Sequence, residues 1–319
     1  MDSMQRRVAS ASVIALSSLM VAACGGSDGG SGGGFGSDGG AETKVTLVEQ
    51  PWEDLMVENE IAAQVLEGAG YSVEIEDLSV PLTAQALAKG DADAYLGNWW
   101  PSQEEVFSDP IDKGDVEVMS TLVTGVTYEP AVPKYVAEEH GVTSLADLSD
   151  SAEEFDGEIL GIEPGSPGNN SIQQAIDDDA YGLGDFTLVE SSTPAMLAEV
   201  EKRAEQEEPV VFLGWEPHWM NIEWDLVYLD DPEEVWPGAG EIRAASREGF
   251  SDDNPNVARF LSQMEIDRET ASDWVYSVSQ DDRSAADVAG QWVEDNPDTV
   301  QKWLEGVETA EGDPAEATA

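Results

Sequence analysis

Residues 44–96 read KVTLVEQPWEDLMVENEIAAQVLEGAGYSVEIEDLSVPLTAQALAKGDADAYL. Apolar residues alternate over Lys44–Val48, which predicts a strand. From Asp54 to Glu67 the period changes: Val57, Ile61 and Val65 fall on one helical face, and Gly68 and Gly70 end the run. Alternation returns at Tyr71, Val73 and Ile75. Leu82–Ala88 predicts a short helix stopped at Gly90, and Ala92–Leu96 a third strand. Strands that alternate with helices predict an α/β fold with mostly parallel sheets, because each crossover helix must cover a sheet face.

The same alternation resumes later. Glu158–Ile162 and Pro209–Leu213 are short apolar runs of the buried-strand kind, and Ser171–Ile176 and Pro194–Arg203 have helical spacing. From Asn254 onward the chain reads as helical and carries Trp274, Trp292 and Trp303. Two α/β sets separated by an irregular middle predict two lobes. No internal sequence repeat is present.

Upstream of this body the chain changes character. Arg6 and Arg7 precede an uncharged, apolar or small run from Val8 to Ala23, too short for a comfortable membrane span. The run ends Val21-Ala22-Ala23-Cys24, which matches the lipobox of bacterial lipoproteins. Cys24 is the one cysteine of the chain, so it has no partner for an internal disulfide. Gly25 to Gly40 is almost entirely Gly, Ser and Asp, the composition of a flexible tether.

The chain carries 14 Lys and Arg against 67 Asp and Glu, a net charge of −53. No basic patch survives that balance, which argues against a nucleic-acid partner. Salt bridges cannot be the purpose of so many unpaired acids. Spread over a surface they hold water, which suits a salt-exposed environment. At 1 M salt their field is screened beyond about 3 Å, so the acidity says little about a ligand.

The aromatic residues are not evenly scattered. Trp52 follows the first strand, Trp99 and Trp100 follow Ala92–Leu96, and Trp215 follows Pro209–Leu213. Tyr128 lies in the middle segment, where the chain passes between lobes. Ligands of open α/β sheets bind beyond the carboxyl ends of strands. Ring faces placed there select a cation that has no N–H to donate, through cation–π attraction of roughly 0.5–2 kcal/mol per ring. A quaternary ammonium is such a cation.

These residues sit in segments with a family likeness: Gln50-Pro51-Trp52-Glu53-Asp54, Leu96-Gly97-Asn98-Trp99-Trp100-Pro101, Gly161-Ile162-Glu163-Pro164-Gly165 and Phe212-Leu213-Gly214-Trp215-Glu216-Pro217-His218. Over about residues 43–308 the chain resembles the substrate-binding proteins of choline and glycine betaine ABC importers, in the choline-binding-like branch of the OpuAC-type family. The resemblance implies a two-lobed, type II Venus-flytrap fold of the periplasmic-binding kind, with a hinge of two crossing segments. It implies a signal peptide over 1–23 and a lipidated Cys24 with its linker over 24–42. A discontinuous first lobe over 43–124 and 222–309, a second lobe over 125–221 and a frayed tail over 310–319 complete the expected organisation.

The family cage maps onto Trp52, Trp99, Tyr128 and Trp215, with Trp100 the rival of Trp99 and Trp219 left to packing. Asp54 matches a carboxylate near the ligand's polar end, and His218 a histidine that some betaine-binding relatives turn toward the ligand carboxylate. After Gly165 the choline branch has Asn-Asp where this chain has Ser166-Pro167. Choline's hydroxyl needs an acceptor such as Asp54. Betaine's carboxylate needs donors, and a helix start after Gly165, with Ser166, Asn169 and His218 near it, could supply them. The reading leans to glycine betaine, although Asp54 argues for choline.

The implied protein is a monomeric, lipid-anchored receptor on the outer face of the cytoplasmic membrane, partnered by an ABC permease and its ATPase subunits. Proline, carnitine or ectoine are the alternative solutes. An enzyme such as a secreted hydrolase is a remote alternative: there is no Gly-x-Ser-x-Gly elbow, and His140 and His218 lack metal-ligand spacing. No cofactor or metal is expected.

Overall fold

The computed structural model describes residues 43–236 and 240–317. Cys24 and the segments before and after it lie outside the described residues.

The first lobe is built on β1 (Lys44–Glu49), β2 (Ser72–Asp77), β3 (Ala94–Trp100) and β4 (Val116–Thr124). The second is built on β5 (Thr127–Pro133), β6 (Glu158–Leu160), β7 (Thr187–Val189), β8 (Phe212–Glu216) and β9 (Leu226–Tyr228). The chain then returns to the first lobe as β10 (Glu241–Arg247). One sheet has the order β2-β1-β3-β10-β4 and the other β7-β6-β8-β5-β9.

The two orders are the same. In each sheet the lobe's second, first and third strands are parallel neighbours, followed by an antiparallel strand and then the fourth. The antiparallel strand, β5 or β10, is the first one laid down after the chain crosses from the other lobe. The repeat is one of backbone pairing, which side chains need not record.

Helices cover the sheets. In the first lobe these are α1 (Glu53–Gly68), α2 (Val80–Lys89) and α3 (Glu104–Lys113). The second lobe has α4 (Lys134–His140), α5 (Pro167–Asp177), α6 (Thr193–Glu205) and α7 (Met220–Glu223). A run of α8 (Phe250–Asp253), α9 (Pro255–Gln263), α10 (Arg268–Ser279), α11 (Ala285–Asp295) and α12 (Pro297–Trp303) closes the first lobe. Helix α1 buries Leu55, Val57, Ile61 and Leu66 because the sheet takes one face while α10 and α11 pack on it from outside. Trp292 bridges the C-terminal helices, stacking on Trp303 at 5.2 Å and meeting Trp274 edge-on at 5.3 Å.

Several boundaries differ from the sequence reading. The middle is not irregular: β4 and β5 run through it, separated by Gly125 and Val126. Gly125 takes φ +70°, which glycine permits without strain. The second lobe extends past residue 221, since β9 pairs with β5 and Asp230 N–H bonds Thr143 O. The two crossings are tied together where Gly125 N–H and Val126 N–H both donate to Gly240 O, at 2.8 and 3.3 Å. The tail is not frayed over residues 310–317. Ala310 N–H bonds Ala69 O at 2.9 Å, Ala315 N–H bonds Val307 O at 2.9 Å, and Ala315 is buried.

Candidate functional site

Trp52 is the N-cap residue of α1, immediately after β1. Trp99 and Trp215 lie inside β3 and β8 rather than beyond them, each near its strand's carboxyl end. Tyr128 is the second residue of β5, directly opposite Trp215 in the antiparallel register. These elements bring the four rings to one cavity, lined also by Asp54, Ser102, Gln103, Ile162 and Pro167. Tyr128 is central, with its ring 5.7 Å from Trp99 and 6.5 Å from Trp215.

Strand alternation decides between the adjacent tryptophans, because neighbouring side chains leave a strand on opposite faces. Trp99 lines the cavity, whereas Trp100 takes the Arg243 guanidinium over its ring at 4.2 Å. Trp219 packs away from the cavity against His218 and Trp224.

The polar side chains divide sharply. Asp54, in the first turn of α1, lines the cavity and is only 4 % exposed. Burial pushes its carboxyl up to about 7, against the pull of backbone N–H groups and with help from neighbouring Glu53. Among the described residues no side-chain donor reaches Asp54. Gln103 is committed within its own lobe: its Nε2 donates to Gly97 O and Tyr95 Oη, and its Oε1 accepts from Asn98.

The donors expected to meet a ligand carboxylate are turned away from the cavity. Ser166 Oγ caps α5 by accepting from Asn169 N–H at 3.2 Å. The Tyr128 hydroxyl lies against Ser166 and the Gly168 N–H, filling the start of α5 and leaving no room for a Cβ at Gly168. Asn169 accepts from Ile162 N–H and donates to Ile162 O, Glu163 O and Glu190 Oε1. Gly165 has φ +85° and lies outside the cavity lining. His218, 2 % exposed, accepts from Met220 N–H through Nδ1 and turns Nε2 toward Glu53 at 3.9 Å. Burial holds its pKa below the ordinary value, with Glu53 opposing. Of the five residues assigned to the polar end, Asp54 alone lines the cavity.

Three features escaped the sequence reading. Trp236 backs Tyr128 at 6.3 Å and donates from Nε1 to Tyr128 O. A rare residue in the second crossing was the available signal. Gln103 and Ser102 follow Trp99 closely in sequence, but only the turn into α3 carries them to the cavity. Pro167 adds an apolar wall at the first turn of α5. Among the described residues no cluster of His, Cys, Asp and Glu is arranged to hold a metal.

Over residues 43–295 the chain matches the family described as the substrate binding domain of ABC-type glycine betaine transport systems, and it belongs to that family. This is a family of solute-binding proteins. The fold is similar to an ABC-transporter choline binding protein in complex with choline. The two are 32 % identical with a TM-score of 0.82, over 86 % of this chain and 96 % of that one. It is also similar to lactococcal OpuAC in its closed-liganded conformation complexed with glycine betaine: 26 % identity, TM-score 0.73, over 82 % of this chain and 98 % of that one. The glycine betaine/carnitine transport binding protein of Listeria monocytogenes is 34 % identical over 169 residues, 53 % of this chain and 56 % of that protein. The match thus spans just over half the length of that relative.

Proposed function

We propose that this chain is an ABC-importer receptor that closes on a quaternary ammonium solute between Trp52, Trp99, Tyr128 and Trp215, and that choline is preferred to glycine betaine. The observation that carries the reading is the pairing of four rings with Asp54, a buried carboxyl of the lining that no side-chain donor reaches among the described residues. Rings from both lobes would surround the trimethylammonium head, which gains cation–π attraction and apolar contact. Asp54 would accept the choline hydroxyl. Betaine's carboxylate would meet Asp54, while Gln103 donates within its own lobe and Ser166, Asn169 and His218 lie outside the cavity lining. The 32 % identity to a choline-bound protein supports the same ligand. The lean to betaine rested on Ser166, Asn169 and His218, which do not line the cavity.

One observation favours betaine under acid conditions: a carboxyl raised to about 7 is half neutral there, and a neutral carboxyl donates. The two ligands then have opposite pH signatures. A bound cation stabilises the ionised Asp54, so choline affinity falls as pH drops through about 7. A bound carboxylate stabilises the protonated form, so betaine affinity rises over the same window. Calorimetric titration of choline, betaine, carnitine and proline at several pH values tests this. No heat with any quaternary amine at millimolar ligand defeats the proposal, and tighter betaine binding at neutral pH reverses the order.

Lipidation at Cys24 would tether the receptor outside the cytoplasmic membrane and deliver solute to the permease. Replacing Cys24 by Ser should release the protein from the membrane fraction; retention would reject the anchor.

A further inference from the structure

Trp52 and Glu163 occupy matching places. Each lies in the loop between the first parallel strand and the first following helix of its sheet, β1 to α1 and β6 to α5. Across the cleft Trp52 Nε1–H donates to Glu163 Oε1 at 2.7 Å. The second carboxylate oxygen accepts from Thr193 Oγ1 at 2.8 Å. Thr193 is fully buried in the first turn of α6, so the second lobe aims this carboxylate, and the helix N-terminus favours its charge. Asn169 fixes the same loop by donating to Glu163 O and Ile162 O.

The other contacts between the lobes are weaker candidates. Arg268 and Glu216 meet at 3.3 Å but both are well exposed, so solvent screens them. His218 and Glu53 stand 3.9 Å apart, beyond a hydrogen bond. Glu163 does not line the cavity. It stands at the N–H edge of the Trp52 indole, and its charge adds to burial in raising the Tyr128 pKa.

We infer that Glu163 is a positioning residue of the binding site: its carboxylate latches the Trp52 indole across the cleft and slows release of a bound cation. The inference rests on the quaternary ammonium reading. The bond joins two lobes, so it exists only while both loops are together. Opening must break a charge-assisted hydrogen bond, and these are stronger than neutral ones. The bond also fixes the indole plane, and an anion at the in-plane N–H makes the ring's π faces more attractive to a cation.

Stopped-flow release of choline from the full chain tests the latch, with variants Glu163→Gln, Thr193→Val, Trp52→Phe and Trp52→Phe/Glu163→Gln. Glu163→Gln should speed release about tenfold with little change in association, as affinity differences within one site are mostly in release. Thr193→Val should act in the same direction but less, since it leaves the carboxylate in place. The double variant should release no faster than Trp52→Phe alone. Release by Glu163→Gln within about twofold of wild type, or effects that multiply independently, overturns the latch. The ¹⁵N indole resonance of Trp52, assigned by Trp52→Phe, should move in Glu163→Gln. A wild-type chain that binds no choline defeats the ligand reading alone; a Trp52 resonance unmoved by Glu163→Gln then overturns the latch independently.

Discussion

The two lobes share one strand order and differ in what they do with their polar residues. In the first lobe the loop after β1 leads to Asp54, whose carboxyl faces the cavity with no side-chain donor beside it. In the second lobe the matching loop after β6 leads to Ser166 and Asn169, both spent on capping and loop-holding. Trp99 and Trp215 hold equivalent positions, two residues before Pro101 and Pro217, and both X–Pro peptides are cis. The fold therefore supplies one ring position twice, at Trp99 and Trp215, whereas Trp52 and Tyr128 have Glu163 and Ile242 as counterparts. The two lobes thus share a pair of rings and differ in the rest of what they bring to the cavity.

Substitutions can break that comparison. The largest effect is expected at the rings. Trp215→Ala should weaken choline binding by about 2–3 kcal/mol, roughly 30- to 150-fold, from lost cation–π attraction and apolar contact. Trp219→Ala should lower the melting temperature while changing affinity far less; equal affinity losses would remove Trp215 from the cage. Next comes the lobe asymmetry itself. Asp54→Asn should weaken choline about tenfold, as expected for a hydrogen bond to a charged group, and should flatten the pH dependence near neutrality. Betaine affinity should not fall with it. The smallest effect is expected from Ser166→Ala, which removes a cap worth about 1 kcal/mol of stability but should leave choline affinity within about threefold. A larger affinity loss there would mean that the second lobe also reads the ligand's polar end.

The α/β alternation was legible because it is local: periodicity over residues 44–96 is enough to place β1 to β3 and their helices. The ring positions were legible because tryptophan is rare and recurs at corresponding strand ends. The placement of β5 and β10 was not, since pairing between strands so far apart in sequence leaves no periodic trace. Nor was the fate of the donors. Ser166, Asn169 and His218 have the right chemistry for a carboxylate, and only tertiary packing reveals that none of them lines the cavity. The tail misled through composition: its polar residues conceal Ala310 and Ala315, which dock through backbone bonds and burial rather than side-chain character.

The position of β10 has a consequence for how the molecule assembles. It lies between β3 and β4, and among the described residues β4 has no other strand partner in its sheet. The last described strand is therefore the wedge that completes the first sheet. Until residues 241–247 arrive, β3 shows an open edge and β4 has nowhere to pair. The second sheet is under no such constraint, because β5 to β9 are contiguous in sequence. The topology thus imposes an order: the lobe begun second can finish first, and the lobe begun first must wait for the chain to come back.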